Sequence, residues 1–397
     1  MDFWLHQGGM NMTDYISHFK QNTTIILLGA GDSTRFSNAN LPKKQWLRSG
    51  ENPLWKIVYE KFLSLGFENF LITSSPKEIS YMKNFSDAKI ICGGETRSKS
   101  ILNALQEVQT PYVLINDIAR WNIQEKVIYN LFKTLFQNPN ASCIAPSINA
   151  VDTIFHTQGY FPNRSELKLI QTPQLSKVES LKKALNQESE FSDESSAIFS
   201  LQEEVIYTQG SALMNKLTTP EDLINLSLPS PSKQIFVGNG IDIHAFEEGK
   251  TMVLGGVQID SPLGFKAHSD GDVLLHSLID AMLGAIGGGD IGEWFPDTSA
   301  EYKNANSSLL FKEIVSFCKN VGFEILQVDL SILAQFPKIS PYKEQIKASL
   351  SSLLSIPKYK INIKATTGEE LGFVGRKEGV CVMSSVSMQF IDWSKEK

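Results

Sequence analysis

Short β-branched and aliphatic runs alternate with longer segments whose apolar residues recur three and four apart, and this order persists through the first half of the chain. Thr24–Leu28 is an apolar run that ends in glycine. Phe70–Thr73, Tyr112–Asn116 and Cys143–Pro146 read as further strands, and Leu54–Leu65, Ser98–Val108 and Lys126–Phe136 as helices. Parallel neighbours need a crossover long enough to hold a helix, so the alternation predicts a mainly parallel sheet covered by helices.

The alternation stops at Ser227-Leu-Pro-Ser-Pro-Ser-Lys233, where two prolines among serines make a stiff polar linker. Beyond it the periods change. Ile235–Ile243 reads as a strand, Asp272–Ile286 and Ser308–Val321 as helices, Ile325–Leu333 as a strand, Tyr342–Leu354 as a helix, and Lys360–Ala365 and Val380–Phe390 as two late strands. That is an independent α+β unit. At roughly 150 residues per domain, 397 residues accommodate both halves. The division expected is an uninformative extension over 1–22, which holds Met10 and Met12 as alternative starts, a first domain over 23–226, a linker over 227–234 and a second domain over 235–397.

Composition narrows the partners. A net charge of -6 disfavours nucleic acid or an anionic membrane, both of which select basic surfaces. There is no apolar run of about 18 residues to span a bilayer, and the N-terminus lacks a signal-peptide core. Cys92, Cys143, Cys318 and Cys381 lie far apart, without zinc or redox spacing, and read as thiols of a reducing cytoplasm.

His244, His268 and His276 crowd into one stretch of the second half. Asp242 and His244 sit two apart on a strand, so their side chains leave one face. His276 lies on the following helix, on a polar stripe with Asp272 and Asp280. One carboxylate and two imidazoles leave a fourth tetrahedral position open, as in a catalytic zinc site, and that position suits a phosphate oxygen. An isolated Asp-x-His pair serves structure more often than a metal; the surrounding segments decide.

Those segments are Gly240-Ile-Asp-Ile-His-Ala-Phe246, Ala267-His-Ser-Asp-Gly-Asp-Val-Leu-Leu-His276, Asp290-Ile-Gly-Glu-Trp-Phe-Pro-Asp297 and Lys364-Ala-Thr-Thr-Gly-Glu-Glu-Leu-Gly-Phe-Val-Gly-Arg376. In this order they closely resemble 2-C-methyl-D-erythritol 2,4-cyclodiphosphate synthase over residues 235 to about 393. The resemblance implies a trimer-forming α+β domain with sites between subunits, and zinc, or another divalent metal, on Asp242, His244 and His276. It implies that His268 and Thr367 steady the transition state, and that Glu369 ligates a second cation, magnesium, on the diphosphate. Ser269, Asp290, Ile291, Gly292, Phe295, Thr366, Phe373 and Arg376 match substrate-lining positions. Ala334 to Ser340 matches the cytidine wall, with Lys338 near the diphosphate or ribose. Gly368 and Glu370 depart from the family pattern, where a hydroxyl and a lysine are usual.

In the first half, Gly29-Ala-Gly-Asp-Ser-Thr-Arg35 follows the first strand. It is neither a Walker A loop nor a G-x-G-x-x-G fingerprint. Its glycines let backbone approach a phosphate, and Arg35 with the Lys43-Lys44 pair can neutralise one. Taken alone, a tight turn with surface charges reads as well. Gly93-Gly-Glu-Thr-Arg-Ser-Lys-Ser100, Asn116-Asp-Ile-Ala-Arg120, Val151-Asp-Thr153, Thr172-Pro-Gln174 and Lys216-Leu-Thr-Thr-Pro-Glu-Asp222 then occur in sequence. Together they resemble 2-C-methyl-D-erythritol 4-phosphate cytidylyltransferase over residues 23 to about 226, more loosely than in the second half. The family's usual Pro-Ala-Ala-Gly opening is here Leu28-Gly29-Ala30-Gly31, and the loop before the lysine is longer.

That resemblance implies a Rossmann-like nucleotidyltransferase fold that binds CTP with Mg²⁺. Gly29, Ala30, Gly31, Gly94 and Ser100 lie at the nucleotide. Arg35 and Lys44 offset charge at the α-phosphorus, with Lys43 the alternative lysine. Arg164 and Lys216 position methylerythritol phosphate, and Asp117, Arg120, Thr153 and Thr172 line its pocket. Residues 149–166 match an arm lent between subunits of a dimer. A dimer and a trimer on one chain favour a larger assembly, a hexamer. The kinase that acts between the two reactions lies on no segment of this chain, which leaves its docking open. A ribitol phosphate acceptor and an inactive N-terminal scaffold are the alternatives for the first half.

Overall fold

The computed structural model describes residues 12–36, 41–187, 191–267, 269–296, 298 and 305–396. They divide into two compact units. The first joins the described residues up to 36 with Asn52–Leu228, and the second joins 41–51 with Pro229–Lys395.

The first unit is built on an eight-stranded sheet in the order Val205–Gln209, Cys143–Asn149, Gln174–Lys177, Tyr112–Asp117, Thr23–Leu28, Asn69–Ser74, Lys89–Cys92, with Lys168–Ile170 paired to Cys143–Asn149. Thr23–Leu28 runs parallel to both its neighbours, in a register that sets Leu28 beside Thr73 and Asp117. Gln174–Lys177 and Lys168–Ile170 are antiparallel, so the expected mainly parallel sheet is what forms. Ile25, Ile26, Leu27, Leu114 and Ile115 are wholly buried, as strands covered on both faces must be. The order reverses at Thr23–Leu28: the next two parallel strands lie to one side and Tyr112–Asp117 to the other. Open sheets of this kind bind ligands beyond the carboxyl ends of their strands at such a point. Here those ends lead into Gly29, Gly93 and Asp117.

Two findings differ from the sequence expectation. Within the stretch read as an extension, Met12–Gln21 is a helix. It buries Tyr15 and Ile16, and Tyr15 meets Phe136 edge-on at 4.4 Å. Residues 41–51, expected inside the first domain, belong to the second unit. Arg48 explains why. It is buried, donates to the Val321 carbonyl at 3.2 Å, and its guanidinium lies 4.8 Å from the Phe390 ring. Trp393 Nε1 donates to the Arg48 carbonyl at 2.5 Å. A buried guanidinium needs carbonyl and aromatic partners, and here they come from the far end of the sequence.

The second unit has a five-stranded sheet in the order Leu263–Phe265, Ile235–Glu248, Gly379–Phe390, Phe323–Leu333, Ile361–Thr366. All pairings are antiparallel except the last. The helix Val273–Ile286 lies directly on Ile235–Glu248, and two glycines make this approach possible. A Cβ at Gly238 would stand 1.9 Å from the Ala281 carbonyl oxygen, and one at Gly240 1.9 Å from that of Ser277. The opposite face of the same strand leaves Ile235, Val237, Ile241 and Ile243 each more than half exposed.

Candidate functional site

Asp272 places the helix that carries His276. Its carboxylate is buried, caps the helix by accepting from Leu275 N–H at 3.1 Å, and also accepts from Gly255 and Gly256 N–H at 2.8 and 2.7 Å. Burial pushes its pKa up against those three donors. The stripe residue Asp272 is thus a structural cap, and His276 follows one turn later. Asp280, the third member of the stripe, accepts from Ile291 N–H at 2.8 Å.

Asp242 and His244 leave the sheet on the same side as Gly240 and so face this helix. His244 Nε2 lies 3.0 Å and His276 Nδ1 3.3 Å from Asp242 Oδ2. Among the described residues these three offer ligand atoms all within 4.8 Å of one another. Burial opposes ionisation of Asp242, but the two imidazoles hold its carboxyl well below the usual carboxylate range. Burial likewise works against protonated His276, and Asp242 more than offsets it, so its pKa is raised. Asp242 Oδ2 is buried and has no conventional hydrogen-bond partner among the described residues. One carboxylate oxygen aimed at by two imidazole nitrogens is a donor set that fits a divalent cation of the zinc type.

Other expected positions of this half fall around separate elements. Thr367 Oγ1 donates to Glu369 Oε1 at 2.5 Å. Glu369 and Glu370 take left-handed φ of 49° and 63°, so this turn holds its shape without glycine at either place. Glu369 stands outside the three-residue metal group. Ala334 N–H donates to the Thr366 carbonyl at 3.0 Å, which joins the segment expected at the cytidine to the Thr366–Thr367 turn; Lys338 is exposed. Asp290 caps the short helix Ile291–Trp294 through Glu293 N–H at 2.9 Å, and Phe295 is buried behind it. Gly292 is exposed on that helix, Ser269 and Phe373 are half-buried, and Arg376 pairs with Glu378 at 2.9 Å. His268 lies outside the described residues.

In the first unit, Gly29 and Gly93 sit at the carboxyl edge of the sheet. Gly29 N–H donates to the Thr73 carbonyl at 3.1 Å and Gly93 N–H to that of Ser74 at 2.8 Å. A Cβ on Gly93 would stand 2.2 Å from the Ala30 Cβ, so the two glycine loops touch, and Ser100 Oγ accepts from Gly94 N–H at 3.0 Å. Asp117 ends the neighbouring strand. Its Oδ2 is 2.5 Å from Lys216 Nζ, its Oδ1 is 3.3 Å from Arg97 Nε, and its N–H donates to Thr172 Oγ1 at 3.3 Å. Burial pushes Asp117 up, but Arg97 and Lys216 hold its pKa below the ordinary value. Arg120 donates to the Met214 carbonyl at 2.6 Å.

The fold therefore gathers Gly29, Ala30, Gly94 and Ser100 at one edge and Asp117, Thr172 and Lys216 beside it. Gly31 and Arg35 are exposed. Arg164 and Thr153 lie on an exposed segment, where Arg164 donates to the Val151 carbonyl at 2.8 Å. Lys43 and Lys44 lie in 41–51 with the second unit. Sequence reading gave no role to Arg97, which lies within the Gly93–Ser100 motif, or to Glu194. Arg97 Nη1 is 2.7 Å from Glu194 Oε1, whose side chain is completely buried. The signal was present in Asp193-Glu194 opening a helix, but nothing local pairs it with an arginine 97 residues earlier.

Comparison with known proteins agrees with both halves. Residues 23–227 match the family model described as 2-C-methyl-D-erythritol 4-phosphate cytidylyltransferase, and residues 235–389 match the YgbB family. The bifunctional enzyme IspD/IspF of Aliarcobacter butzleri is 50% identical over 377 residues, 94% of this chain and 99% of that protein. The corresponding protein of Wolinella succinogenes is 47% identical over 374 residues, 94% of this chain and 97% of its own. The solved bifunctional IspDF of Campylobacter jejuni matches with a TM-score of 0.82 at 43% identity, covering 94% of this chain and 99% of that one.

Proposed function

The chain belongs to the bifunctional IspD/IspF family, and on that premise we propose which of its residues carry out each reaction. The enzyme transfers CMP from CTP to 2-C-methyl-D-erythritol 4-phosphate. It also cyclises 4-diphosphocytidyl-2-C-methyl-D-erythritol 2-phosphate to the 2,4-cyclodiphosphate with loss of CMP, and both are steps of the methylerythritol phosphate pathway.

The cyclase reading rests on one observation: three ligand atoms from a strand and a facing helix converge within 4.8 Å. A divalent cation, zinc by donor chemistry, supplies Lewis-acid charge neutralisation at a substrate phosphate oxygen when bound there. The 2-phosphate of the substrate attacks its own β-phosphorus and CMP departs, so the protein contributes no nucleophile. Its residues hold two anionic groups in a ring-closing pose, which supplies effective concentration. Glu369, tied to Thr367 at 2.5 Å, is the carboxylate we assign to magnesium on the diphosphate, and Thr367 the hydroxyl that steadies the transferring phosphoryl. Ser269, Asp290–Gly292, Phe295, Phe373 and Arg376 line the substrate, and Ala334–Lys338 the cytidine.

For the transferase, the Gly29–Gly31 loop and Gly94 with Ser100 receive CTP. Lys216 presents a cationic group beside Asp117 for the acceptor phosphate, with Arg120 in the same pocket, and Arg35 offsets charge at the α-phosphorus. This is positioning and electrostatics with little covalent work. Support comes from the ion pairs that fix Asp117 and Lys216 at the carboxyl edge of the sheet.

Arg164 and Thr153 sit on a segment whose Val151, Phe155 and Phe161 are all more than half exposed. This supports an arm that completes a second copy's site. The exposed Ile235, Val237, Ile241 and Ile243 support self-association of the cyclase unit as a trimer, and together these make a hexamer. Mass measurement in solution tests this, and a monomer overturns it. No helix among the described residues is long and apolar enough to cross a membrane.

Two reciprocal variants test the assignment. His276→Ala is expected to lose stoichiometric zinc and CMP release while keeping CTP-dependent pyrophosphate release. Arg35→Ala is expected to do the reverse. Retention of zinc by His276→Ala overturns the metal site, and loss of both activities in either variant overturns the division of labour.

A further inference from the structure

Beside the metal ligands lies a hydrogen-bonded chain that the reaction as described does not use. His276 Nε2, the ring nitrogen turned away from Asp242, is 2.8 Å from Ser307 Oγ. Ser307 Oγ in turn makes a very short contact with Asp270 Oδ1. Asp270 Oδ2 accepts from Ser307 N–H at 3.1 Å, and its Oδ1 also faces Asp272 N–H at 3.4 Å. Ser307 is completely buried.

The protons along this chain can be placed by counting. A carboxylate offers acceptors alone and a serine hydroxyl has a single hydrogen. That hydrogen goes to Asp270, so Ser307 Oγ must accept from its other neighbour, and the hydrogen between it and His276 belongs to Nε2. A neutral imidazole protonated on Nε2 has its lone pair on Nδ1, the atom 3.3 Å from Asp242 Oδ2. The ring is thereby set in the tautomer and orientation that a cation beside Asp242 and His244 requires. Second-sphere partners of this kind fix ligand orientation and basicity in metal sites generally.

Ser307 is not needed to begin its own helix. Asn306 already caps Ser307–Asn320, accepting from Ser308 N–H at 2.8 Å. Nor does the other imidazole have an equivalent support, since His244 Nδ1 is buried with no hydrogen-bond partner among the described residues. His276 is the one ligand of the three that enters with its coordinating nitrogen already chosen.

We propose that Ser307 and Asp270 are positioning residues for the divalent metal, acting through His276 as a relay, Asp270 ← Ser307 ← His276, that presents Nδ1 as the ligand atom. This rests on the assignment of Asp242, His244 and His276 as ligands. The metal itself is the readout. Metal-free full-length protein is titrated with Zn²⁺ against a chromophoric chelator, and thermal unfolding of each variant is recorded in excess chelator. Ser307→Ala and Asp270→Asn are expected to weaken zinc by about 10–100-fold, with metal-free unfolding near that of the parent. Ser307→Thr, which keeps the hydroxyl, is expected to restore affinity to within a few-fold. Parental zinc affinity in both Ser307→Ala and Asp270→Asn overturns the relay. So does weakening that Ser307→Thr fails to restore and that tracks a lowered metal-free unfolding temperature, because that pattern marks a packing role. His276→Ala distinguishes the relay from the ligand set. If it loses zinc while the relay variants do not, the relay alone fails; if it keeps zinc, the ligand assignment fails and the relay with it.

Discussion

Replacing Gly240 by alanine tests how the proposed metal site is assembled. The added Cβ would stand 1.9 Å from the Ser277 carbonyl oxygen and 2.8 Å from Ala281 N. Since Cβ contacts below 3.0 Å are essentially not observed, the helix Val273–Ile286 must retreat from the strand by about 1 Å or more, as overpacked cores do. Both obstacles are backbone, so no rotamer change relieves them. Overpacking of this type costs about 1–3 kcal/mol, or roughly 2–12 °C in unfolding temperature for a unit of this size. Gly240 lies two residues before Asp242, and Ser277 follows His276, so the same retreat widens the 3.3 Å separation between Asp242 and His276. A displacement of about 1 Å at reacting groups can cost on the order of 100-fold in rate. Gly240→Ala is therefore expected to unfold earlier, to bind zinc at least about tenfold more weakly, and to release CMP about 100-fold more slowly. Gly284→Ala is the control. It sits in the same helix, its Cβ would meet nothing closer than Asn239 O at 3.9 Å, and a helical alanine is better than glycine by about 0.5–1 kcal/mol. Differential scanning fluorimetry, zinc competition and a CMP-release assay on both variants suffice. Parental stability and zinc affinity in Gly240→Ala would refute the claim that close strand–helix approach sets the ligand spacing.

The transferase unit supplies two more predictions. Asp117 has a lowered folded-state pKa, so its contribution to stability is full above the unfolded value of about 3.9 and disappears as pH falls through the folded value. Asp117→Asn is accordingly expected to lower the unfolding temperature at pH 7, with the deficit shrinking steadily below about pH 4; a deficit independent of pH counts against a stabilising ion pair. Arg97→Ala leaves the buried Glu194 carboxylate without its partner at 2.7 Å, which should cost about 3–5 kcal/mol, measured by urea unfolding. A loss below about 1 kcal/mol, the range of exposed pairs, contradicts the buried-network description.

The two fold classes, and the convergence of Asp242, His244 and His276, were legible because they rest on local rules. A period of two around Asp242 and His244 places them on one face, and a period near four puts His276 on a helix. The runs around Thr23–Leu28 and Tyr112–Asp117 announce buried parallel strands. Motif resemblance then named the chemistry. The helix Met12–Gln21 escaped notice because its apolar face is small and its meaning depends on Phe136 and Tyr112. Asp272 stood on the polar stripe and could be taken for a site residue; its burial under three backbone donors shows that it caps the helix.

What the chain order alone determined is which residues share a strand face, a helix stripe or a turn, since those relations repeat every two to four residues. What tertiary structure decided is which distant groups meet. Ser307 reaches His276, Glu194 reaches Arg97, and Arg48 is drawn into the second unit by Val321, Phe390 and Trp393. The reason is physical. A buried charge or hydroxyl must find a partner wherever packing supplies one, and no periodicity in the sequence encodes where that is.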